Sequence, residues 1–435
     1  MKNIKLLVML ATIAFAGLSC QNEPHKEVAK VEKCLTQVKE LLNSDNGNLW
    51  GKHLYGPIIF LFPDSKLLVA NENDESNSFS KLGDLYYYPM STDLGIANTS
   101  ATFRGKKWAT IIWDDNIDEL TRNEIVIHES WHRIQDELGI NATTSNNTHL
   151  DTKEGRVLLK YEFVALSNAL KDTAQLQTHL GNALKIRKFR QNLFPNNNED
   201  LFERHEGLAE YTGKKLCTTD ENSIKLIPML VAKSLEGSVS RFDGWSNSFA
   251  YHTGPAYGVI LDKIMPDWRN EIKNSTLIEL AEKSLETEAF SVTESTIDSL
   301  IGVYSMQNIE TAETDFENRK SEENIAYTQQ FENNAWLYIP NQNVNFTFNP
   351  NDELITYNDE GVIYKTLTLS WDGGRIEANN AVLRTNDWLY FIIAIPHDKI
   401  KEIEEKRTVE INGYKINLNK DVQIKQTAEG KYTLQ

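Results

Sequence analysis

The segment NEIVIHESWHRIQDELG, residues 123–139, constrains the fold of this chain more than any other feature. Its apolar residues recur at the spacing of one helix face: Ile127, Trp131, Ile134 and Leu138. Thr121 followed by Glu124 matches a capping box at a helix N-terminus. Gly139 is typical of the position just past a helix C-terminus. The pattern therefore predicts a helix that begins at Thr121 and stops before Gly139.

Two histidines lie on this predicted helix. His128 and His132 are four residues apart, so they share one face and lie one turn from each other. Two imidazoles placed in this way can bind one Zn²⁺ from the same side. Glu129 is rotated away from direct ligation and can take a proton from a metal-bound water. This is the H-E-x-x-H pattern; a packed or solvated histidine pair on an ordinary helix is the alternative interpretation.

A catalytic zinc site also needs a third protein ligand and one open position. Glu162 in LLKYEFVAL and Glu206 in ERHEGLAEYTG are the candidates, with His149 and His205 as weaker ones. A purely structural site would need four ligands, often including cysteine, and no cysteine lies near the motif. The residues alone leave Glu162 and Glu206 open.

The segment EGLAEY, residues 206–211, resembles the E-G-[FL]-[AT]-x-Y segment of the aminopeptidase-N-like gluzincins. The resemblance implies that Glu206 is the third zinc ligand. Glu210 follows one helical turn later and is a candidate partner for a zinc-bound histidine.

The interval from His132 to Glu206 is longer than in that group, so the helical stretch around 153–190 would be an insertion. Glu162 is nearer to the motif and therefore remains an alternative ligand. Without that role, it is expected to be a buried carboxylate, paired with Arg156 or Arg133.

The segment YHTGPAYGVILDKI is similar to the tyrosine-x-x-glycine segment of the same enzymes, whose tyrosine hydroxyl stabilises the tetrahedral oxyanion. Tyr251 matches by its spacing to Gly254, while Tyr257 and His252 are rival donors. The zincin resemblance also implies that a sheet edge lines the substrate cleft, and KWATIIWD would be that edge strand.

The stretch 49–265 is also similar to uncharacterised secreted bacterial proteins that carry three motifs in this order. Here the motifs are HESWHRIQ, HLDTKEGR and HEGLAEYTG. This resemblance supports a zincin fold more than any particular reaction.

Three kinds of sequence follow one another along the chain. Short apolar runs predict two hairpins, YGPIIFLFP with KLLVANE and GIANTSATF with KWATIIWD, and DLYYYPM predicts another strand. Helical spacing dominates from Thr121 to about Lys320, including IKLIPMLVAKSL. After about Tyr327, strand-like runs predict an all-β, sandwich-like domain with a helical turn in DKIKEIEEKR. The predicted class is α+β, with a zincin-like domain at 49–320 and a C-terminal β domain at 325–435.

The first twenty residues predict an export signal. Lys2 and Lys5 precede a largely apolar run, and the small residues of AFAGLSC follow it. Residues 1–20 resemble a bacterial lipoprotein signal. That resemblance implies a lipid on Cys20, contact with a membrane and a place in the cell envelope, as an outer-membrane lipoprotein; an ordinary cleaved signal is the alternative. Residues 21–48 would form a tether and an N-terminal helix.

No later segment is long and apolar enough to span a bilayer. Cys34 and Cys217 could pair in an oxidising compartment, and the sequence leaves this open. The net charge of −17 argues against nucleic-acid binding through a broad basic surface.

Together these features predict an exported zinc metallopeptidase that acts on a peptide or protein substrate. Zn²⁺ would be held by His128, His132 and Glu206, with Glu129 as proton acceptor and Tyr251 as oxyanion donor. No G-x-M-E-N-type segment precedes the motif, so endopeptidase and exopeptidase activity both stay open. The oligomeric state is not predicted.

The alternative is a catalytically inactive zincin-like lipoprotein that binds protein or glycan through its C-terminal β domain. Trp336, Trp371, Trp388 and Tyr390 would be its contact residues, although such residues more often lie in a core. The presence of Glu129 in the complete motif speaks against this alternative, because that glutamate has little structural purpose.

Overall fold

The fold is mixed α+β, as the sequence predicts. The computed structural model of the protein describes residues 4–91, 93–218, 244–285, 292–348 and 354–435. These residues form two compact units. The first contains the described residues within 1–149, 158–235 and 246–305, and the second those within 150–157, 236–245 and 306–435.

The first unit contains a six-stranded sheet. Its strands are β1 (Ile58–Phe62), β2 (Leu67–Ala70), β3 (Ser80–Leu82), β4 (Leu85–Pro89), β5 (Thr99–Phe103) and β6 (Lys106–Ile112). They follow the order β3-β4-β2-β1-β6-β5, and neighbours are antiparallel except β1 and β6. Both predicted hairpins, β1–β2 and β5–β6, and the predicted strand β4 are confirmed.

The prediction that KWATIIWD forms the sheet edge is wrong. Its strand β6 lies inside the sheet, because it pairs parallel with β1 on one side and antiparallel with β5 on the other. Arg104 and Gly105, both at positive φ, close a tight β5–β6 turn that folds β5 back along the outer side of β6. The edge strands are therefore β5 and β3.

Helices make up most of the remaining elements of the first unit, as the sequence predicts for the stretch after Thr121. They are α1 (Ile4–Asp45), α2 (Glu119–Ile134), α3 (Lys153–Lys171), α4 (Leu176–Leu193), α5 (Glu199–Phe202), α6 (Leu208–Cys217), α7 (Ala250–Ile264), α8 (Leu277–Ser284) and α9 (Glu294–Tyr304). Helix α1 also includes residues predicted as signal and tether, and the first residues of α3 belong to the second unit. The predicted helix in IKLIPMLVAKSL lies outside the described residues. Among the helices described, none has the length and apolarity that crossing a bilayer requires.

The histidine helix α2 begins earlier than the capping-box pattern indicates. Asp118 caps it, accepting hydrogen bonds from the backbone N–H of Thr121 at 2.8 Å and from the Thr121 hydroxyl at 2.9 Å. The predicted start at Thr121 is wrong, because the Asp118 carboxylate accepts these bonds one turn earlier. The predicted stop is confirmed: a 3₁₀ turn, Gln135–Leu138, follows α2, and Gly139 ends it at φ 73°.

Helix α6 packs against both α2 and α7, and α2 also packs on β5 and β6. The contact between the start of α6 and α7 is unusually close: a Cβ atom on Gly254 would lie 2.3 Å from the Cα of Gly207. Only two glycines allow this approach. It fixes the position of Glu206, the residue before Gly207.

The second unit is a two-sheet sandwich. It contains α10 (Gln307–Asn333), β7 (Ala335–Pro340), β8 (Asn345–Phe348), β9 (Ile355–Tyr357), β10 (Gly361–Tyr364), β11 (Leu367–Trp371), β12 (Gly374–Ala378), β13 (Val382–Thr385), β14 (Tyr390–Ile395), α11 (Ile400–Lys406), β15 (Thr408–Ile411), β16 (Tyr414–Leu418), β17 (Ile424–Ala428) and β18 (Lys431–Leu434). The sheet orders are β17-β18-β7-β14-β13-β10-β9 and β15-β16-β12-β11-β8.

One buried cluster joins the two sheets of this unit. Leu337 and Phe391 come from the seven-stranded sheet, and Leu369 and Ile376 from the five-stranded one. The predicted C-terminal strands and the helical turn in DKIKEIEEKR are confirmed.

Candidate metal centre

His128, His132 and Glu206 lie together in the first unit. The Nε2 atoms of the two histidines are 3.1 Å apart, and they lie 3.4 and 3.6 Å, respectively, from Oε2 of Glu206. One donor atom from each residue lies within 4.8 Å of the others, so the three form a triad able to hold a metal ion. Both histidines are almost fully buried.

The three side chains reach this place from two elements. His128 and His132 point from the same face of α2, as their spacing requires. Glu206 lies in a π-helical turn, Glu203–Gly207, between α5 and α6. Such wide turns are rare and occur often at functional sites.

The spacing of the donor atoms fits zinc. Tetrahedral Zn²⁺ with bonds of about 2.0–2.1 Å to nitrogen and oxygen separates its ligand atoms by about 3.3–3.4 Å. The three separations in the triad, 3.1, 3.4 and 3.6 Å, lie around this value. Two imidazoles and one carboxylate also form a donor set that zinc accepts, with a fourth position left for a small ligand.

Each histidine has a partner on its other ring nitrogen. Nδ1 of His128 lies 3.1 Å from Oε2 of Glu210, and Nδ1 of His132 lies 2.9 Å from Oε1 of Gln135. Glu210 in turn contacts Lys214 at 3.0 Å. Such partners fix the tautomer and the orientation of a metal-binding imidazole.

The charges of the triad suit a cation. Burial disfavours the carboxylate of Glu206, but hydrogen bonds to His128 and His132 outweigh it and hold its pKa far below the usual range. Burial also opposes a charged His128, yet hydrogen bonds to Glu206 and Glu210 raise its pKa to about 10. A positive charge between these groups is therefore stabilised.

Glu129 lies beside the triad with one free carboxylate oxygen. It is buried, and its Oε2 has no hydrogen-bond partner among the described residues. Burial raises its pKa, although the neighbouring His128 and His132 act in the opposite direction. A buried acceptor without a donor is unusual and calls for an explanation.

Among the candidate oxyanion donors, Tyr251 contacts the triad. Its hydroxyl donates to Oε2 of Glu206 at 2.7 Å, and its ring stacks on His128 with centroids 5.6 Å apart. Tyr257 instead donates to Glu162 at 2.7 Å. His252 lies against the ring of Phe163.

The alternative ligand Glu162 is fully buried away from the triad. Its two carboxylate oxygens accept hydrogen bonds from Nε of Arg187 at 2.8 Å and from Nη2 of Arg190 at 2.7 Å. Both arginines also bind Glu199 or Glu203, so the group forms one buried ionic network. The position of Glu162 is structural.

The arginine partners predicted for Glu162 are wrong, since Arg187 and Arg190 approach it from α4. Arg156 instead pairs with Glu313 at 2.7 Å and Glu317 at 2.5 Å. Arg133 donates from Nη2 to the backbone oxygen of Leu54 at 2.8 Å.

The two weaker ligand candidates have different surroundings. His149 pairs with Glu199 at 2.7 Å. His205 lies beside the triad: its ring centroid is 4.7 Å from that of His132, and its Nδ1 is 3.0 Å from Oε1 of Gln135. The sequence reasoning missed Gln135, although it follows His132 by three residues on the same side of the helix.

Comparison with protein-family models, with curated proteins and with solved structures found no match to this chain. The donor atoms of His128, His132 and Glu206 show a possible metal-binding triad.

Proposed function

We propose that this protein is a gluzincin-like zinc metallopeptidase, with His128, His132 and Glu206 as metal ligands. The observation that carries the proposal is the spacing of these three donor atoms around one point, with the unpartnered oxygen of Glu129 beside them. A histidine pair on an ordinary helix would require neither a buried carboxylate nearby nor a partner on each Nδ1.

Zinc bound by these ligands would supply a Lewis acid that acidifies water and polarises a carbonyl group. Glu129 takes the role of general base. Its carboxylate accepts a proton from the attacking water and later gives it to the nitrogen of the broken peptide bond, so the products are a carboxylate and an amine. Burial favours this role because it raises the pKa of Glu129, which makes its carboxylate a stronger base.

Tyr251 is the proposed donor to the oxygen that becomes negative during attack. In the structure its hydroxyl donates to Glu206, so this hydrogen bond must be exchanged for one to the substrate. The ring stacked on His128 keeps the hydroxyl within the site while that exchange occurs. A donor of this kind contributes about 3 kcal/mol in other hydrolases.

An extended peptide is the proposed substrate, lying along β5. This edge strand packs against α2, and its outer backbone groups are free of strand partners within the described sheet. An extended chain can add to such an edge through main-chain hydrogen bonds.

The test of this function is peptide hydrolysis by wild-type protein and by Glu129→Gln. Wild type should cleave members of a peptide library in the presence of zinc. Glu129→Gln should lose about 10²–10⁴-fold in rate while it retains zinc, because the base is removed and the ligands are not. The matched control is Glu119→Gln, at the exposed start of the same helix. Equal rates in wild type and Glu129→Gln would reject the mechanism.

We also propose that the protein is exported and anchored in the envelope by lipid on Cys20. The proposal is supported by the signal-like sequence of residues 1–20. Metabolic labelling with a radioactive fatty acid should mark wild type and not Cys20→Ala. Equal labelling of the two, or none of wild type, would contradict lipidation.

A binding role for the second unit is supported by one exposed aromatic residue. Trp388 is 49% exposed, lies at φ 61°, and stacks under the guanidinium of Arg384 at 3.8 Å. A bulky residue in this conformation is strained and warrants a functional explanation. By contrast, Trp336 packs against Phe331 at a centroid distance of 6.0 Å.

This second candidate has its own test. On a glycan array, Glu129→Gln should bind as wild type does, whereas Trp388→Ala should not. Absence of binding by wild type would remove the candidate and would leave the peptidase proposal unaffected.

A further inference from the structure

One side chain contacts two imidazoles at the metal centre. Oε1 of Gln135 lies 2.9 Å from Nδ1 of His132 and 3.0 Å from Nδ1 of His205. Gln135 is buried, with 2% of its surface exposed. An amide oxygen has two lone pairs, so it can accept one hydrogen bond from each ring.

The amide nitrogen makes this arrangement unusual. Nε2 of Gln135 is buried and has no hydrogen-bond partner among the described residues. Leaving a buried amide donor unpaired costs about 1–3 kcal/mol. Among the described residues, the hydrogen bonds of this amide run to the two imidazoles through Oε1.

The direction of the amide determines where the ring protons lie. With Oε1 as acceptor, His132 carries its proton on Nδ1, and its Nε2 lone pair faces Nε2 of His128 at 3.1 Å and Oε2 of Glu206 at 3.6 Å. A reversed amide would donate to Nδ1 and move the proton to Nε2. That proton would occupy the lone pair that a metal requires.

We propose that Gln135 is a positioning residue of the metal centre, which holds His132 in the Nδ1–H tautomer and so keeps its Nε2 available for the metal. His205 has an acceptor at each ring nitrogen, Oε1 of Gln135 at 3.0 Å and Oε1 of Glu206 at 3.3 Å, so it is not part of this tautomer assignment.

The inference rests on the proposed function, because it assigns a metal to the triad. The two ligand histidines then have different hydrogen-bond acceptors at Nδ1. His128 has the anionic carboxylate of Glu210, and His132 has the neutral amide of Gln135.

The first test is the zinc affinity of the full chain, measured by competition with a chelating dye. Gln135→Leu removes the acceptor and should weaken binding about 10–100-fold. Gln135→Glu restores an acceptor of nearly the same shape and should bind zinc at least as tightly as wild type. Gln175→Leu is the matched control, since Gln175 is exposed and remote from the triad. Affinity of Gln135→Leu within threefold of wild type would overturn the proposal.

The second test is the ring-nitrogen NMR spectrum of the metal-free, ¹⁵N-histidine-labelled full chain. His132 should show a protonated Nδ1 and a bare Nε2, and Gln135→Leu should lose this preference. A protonated Nε2 on neutral His132 of wild type would overturn the proposal. The wild-type spectrum alone can overturn the proposal, and it needs no metal. A wild type that binds no zinc but has the expected tautomer would therefore reject the proposed function and leave only the tautomer assignment of His132 in place.

Discussion

At the scale of single residues, the site is defined by what each ring nitrogen contacts. The sequence spacing predicts that His128 and His132 share a face, and the resemblance to gluzincins points to Glu206. Neither indicates Gln135, because the direction of a side chain depends on rotamers that spacing does not fix. The choice between Tyr251 and Tyr257 depends in the same way on how α7 is rotated.

The partner of His128 gives a prediction at this scale. Glu210→Ala should weaken zinc binding about 10–100-fold, because Nδ1 of His128 loses its anionic acceptor. Glu124→Ala is the matched control: Glu124 contacts the same Lys214 at 3.3 Å but no histidine. Its zinc affinity, measured by dye competition, should stay within threefold of wild type. Equal losses in the two variants would show that the effect comes through Lys214.

The cysteines give a second prediction. The structure records Cys34 and Cys217 as free thiols, and burial raises the pKa of each to about 12. At pH 8 the thiolate fraction would be about 10⁻⁴, roughly a thousandth of that of an ordinary cysteine. Iodoacetamide should therefore modify both slowly in folded protein and rapidly in urea, as read by peptide mapping. A disulfide-linked peptide, or fast modification of folded protein, would contradict this.

At the scale of elements, two sequence predictions fail for the same physical reason. The capping box at Thr121 is predicted from a local pattern, and the edge position of β6 from the zincin resemblance. In each case a neighbouring group makes the hydrogen bonds. The Asp118 carboxylate accepts from the first turn of α2, and strand β5 pairs with the side of β6 that was expected to be free. A short stretch of sequence predicts well that a helix or strand exists. It predicts poorly which neighbouring group hydrogen-bonds to the end of that helix or to the edge of that strand.

The close contact of the start of α6 with α7 can be tested by adding one methyl group. Gly254→Ala should lower the free energy of unfolding by about 2 kcal/mol and weaken zinc binding, because the new Cβ clashes with Gly207 beside Glu206. The control is Gly181→Ala in α4, whose Cβ would meet Leu285 at an ordinary 3.6 Å. That variant should be up to about 1 kcal/mol more stable. Urea unfolding and dye competition measure both; an unperturbed Gly254→Ala would contradict the packing argument.

The buried ionic network around Glu203, in the π-helical turn, predicts that the free energy of unfolding depends on pH. Burial raises the pKa of Glu203 to about 7, against the opposing effect of Arg187. The folded state therefore holds more protons than the unfolded chain between about pH 4.5 and 7, and the free energy of unfolding falls as pH rises through that window. The groups that face Glu203 are Arg187, Glu162 and Thr253.

In Glu203→Gln, the fall in the free energy of unfolding across this pH window should be smaller than in wild type by about 1–3 kcal/mol. The measurement is urea unfolding of metal-free protein at a series of pH values. The raised pKa of Asp200 acts in the same direction and should remain in the variant. Parallel curves for wild type and Glu203→Gln would place the titrating proton on another group.

At the scale of the whole molecule, the sequence predicts the α+β class and the succession of strands, helices and strands. It does so because each type of hydrophobic pattern, strand-like or helical, continues over many residues, and because each unit has its own hydrophobic core. The sequence does not show whether Glu162 or Glu206 is the third ligand. The answer depends on which of the helical segments after α2 folds back against the two histidines. Two arginines from α4 hold Glu162, whereas a π-helical turn brings Glu206 to the histidines.

The most direct measurement is the zinc content of purified protein, by mass spectrometry, in wild type, Glu206→Ala and Glu162→Gln. We expect one zinc per chain in wild type, loss of zinc in Glu206→Ala, and retention in folded Glu162→Gln, whose side chain lies among arginines. Loss in Glu162→Gln with retention in Glu206→Ala would contradict the ligand assignment. A wild type that binds no zinc would contradict the metal centre as a whole.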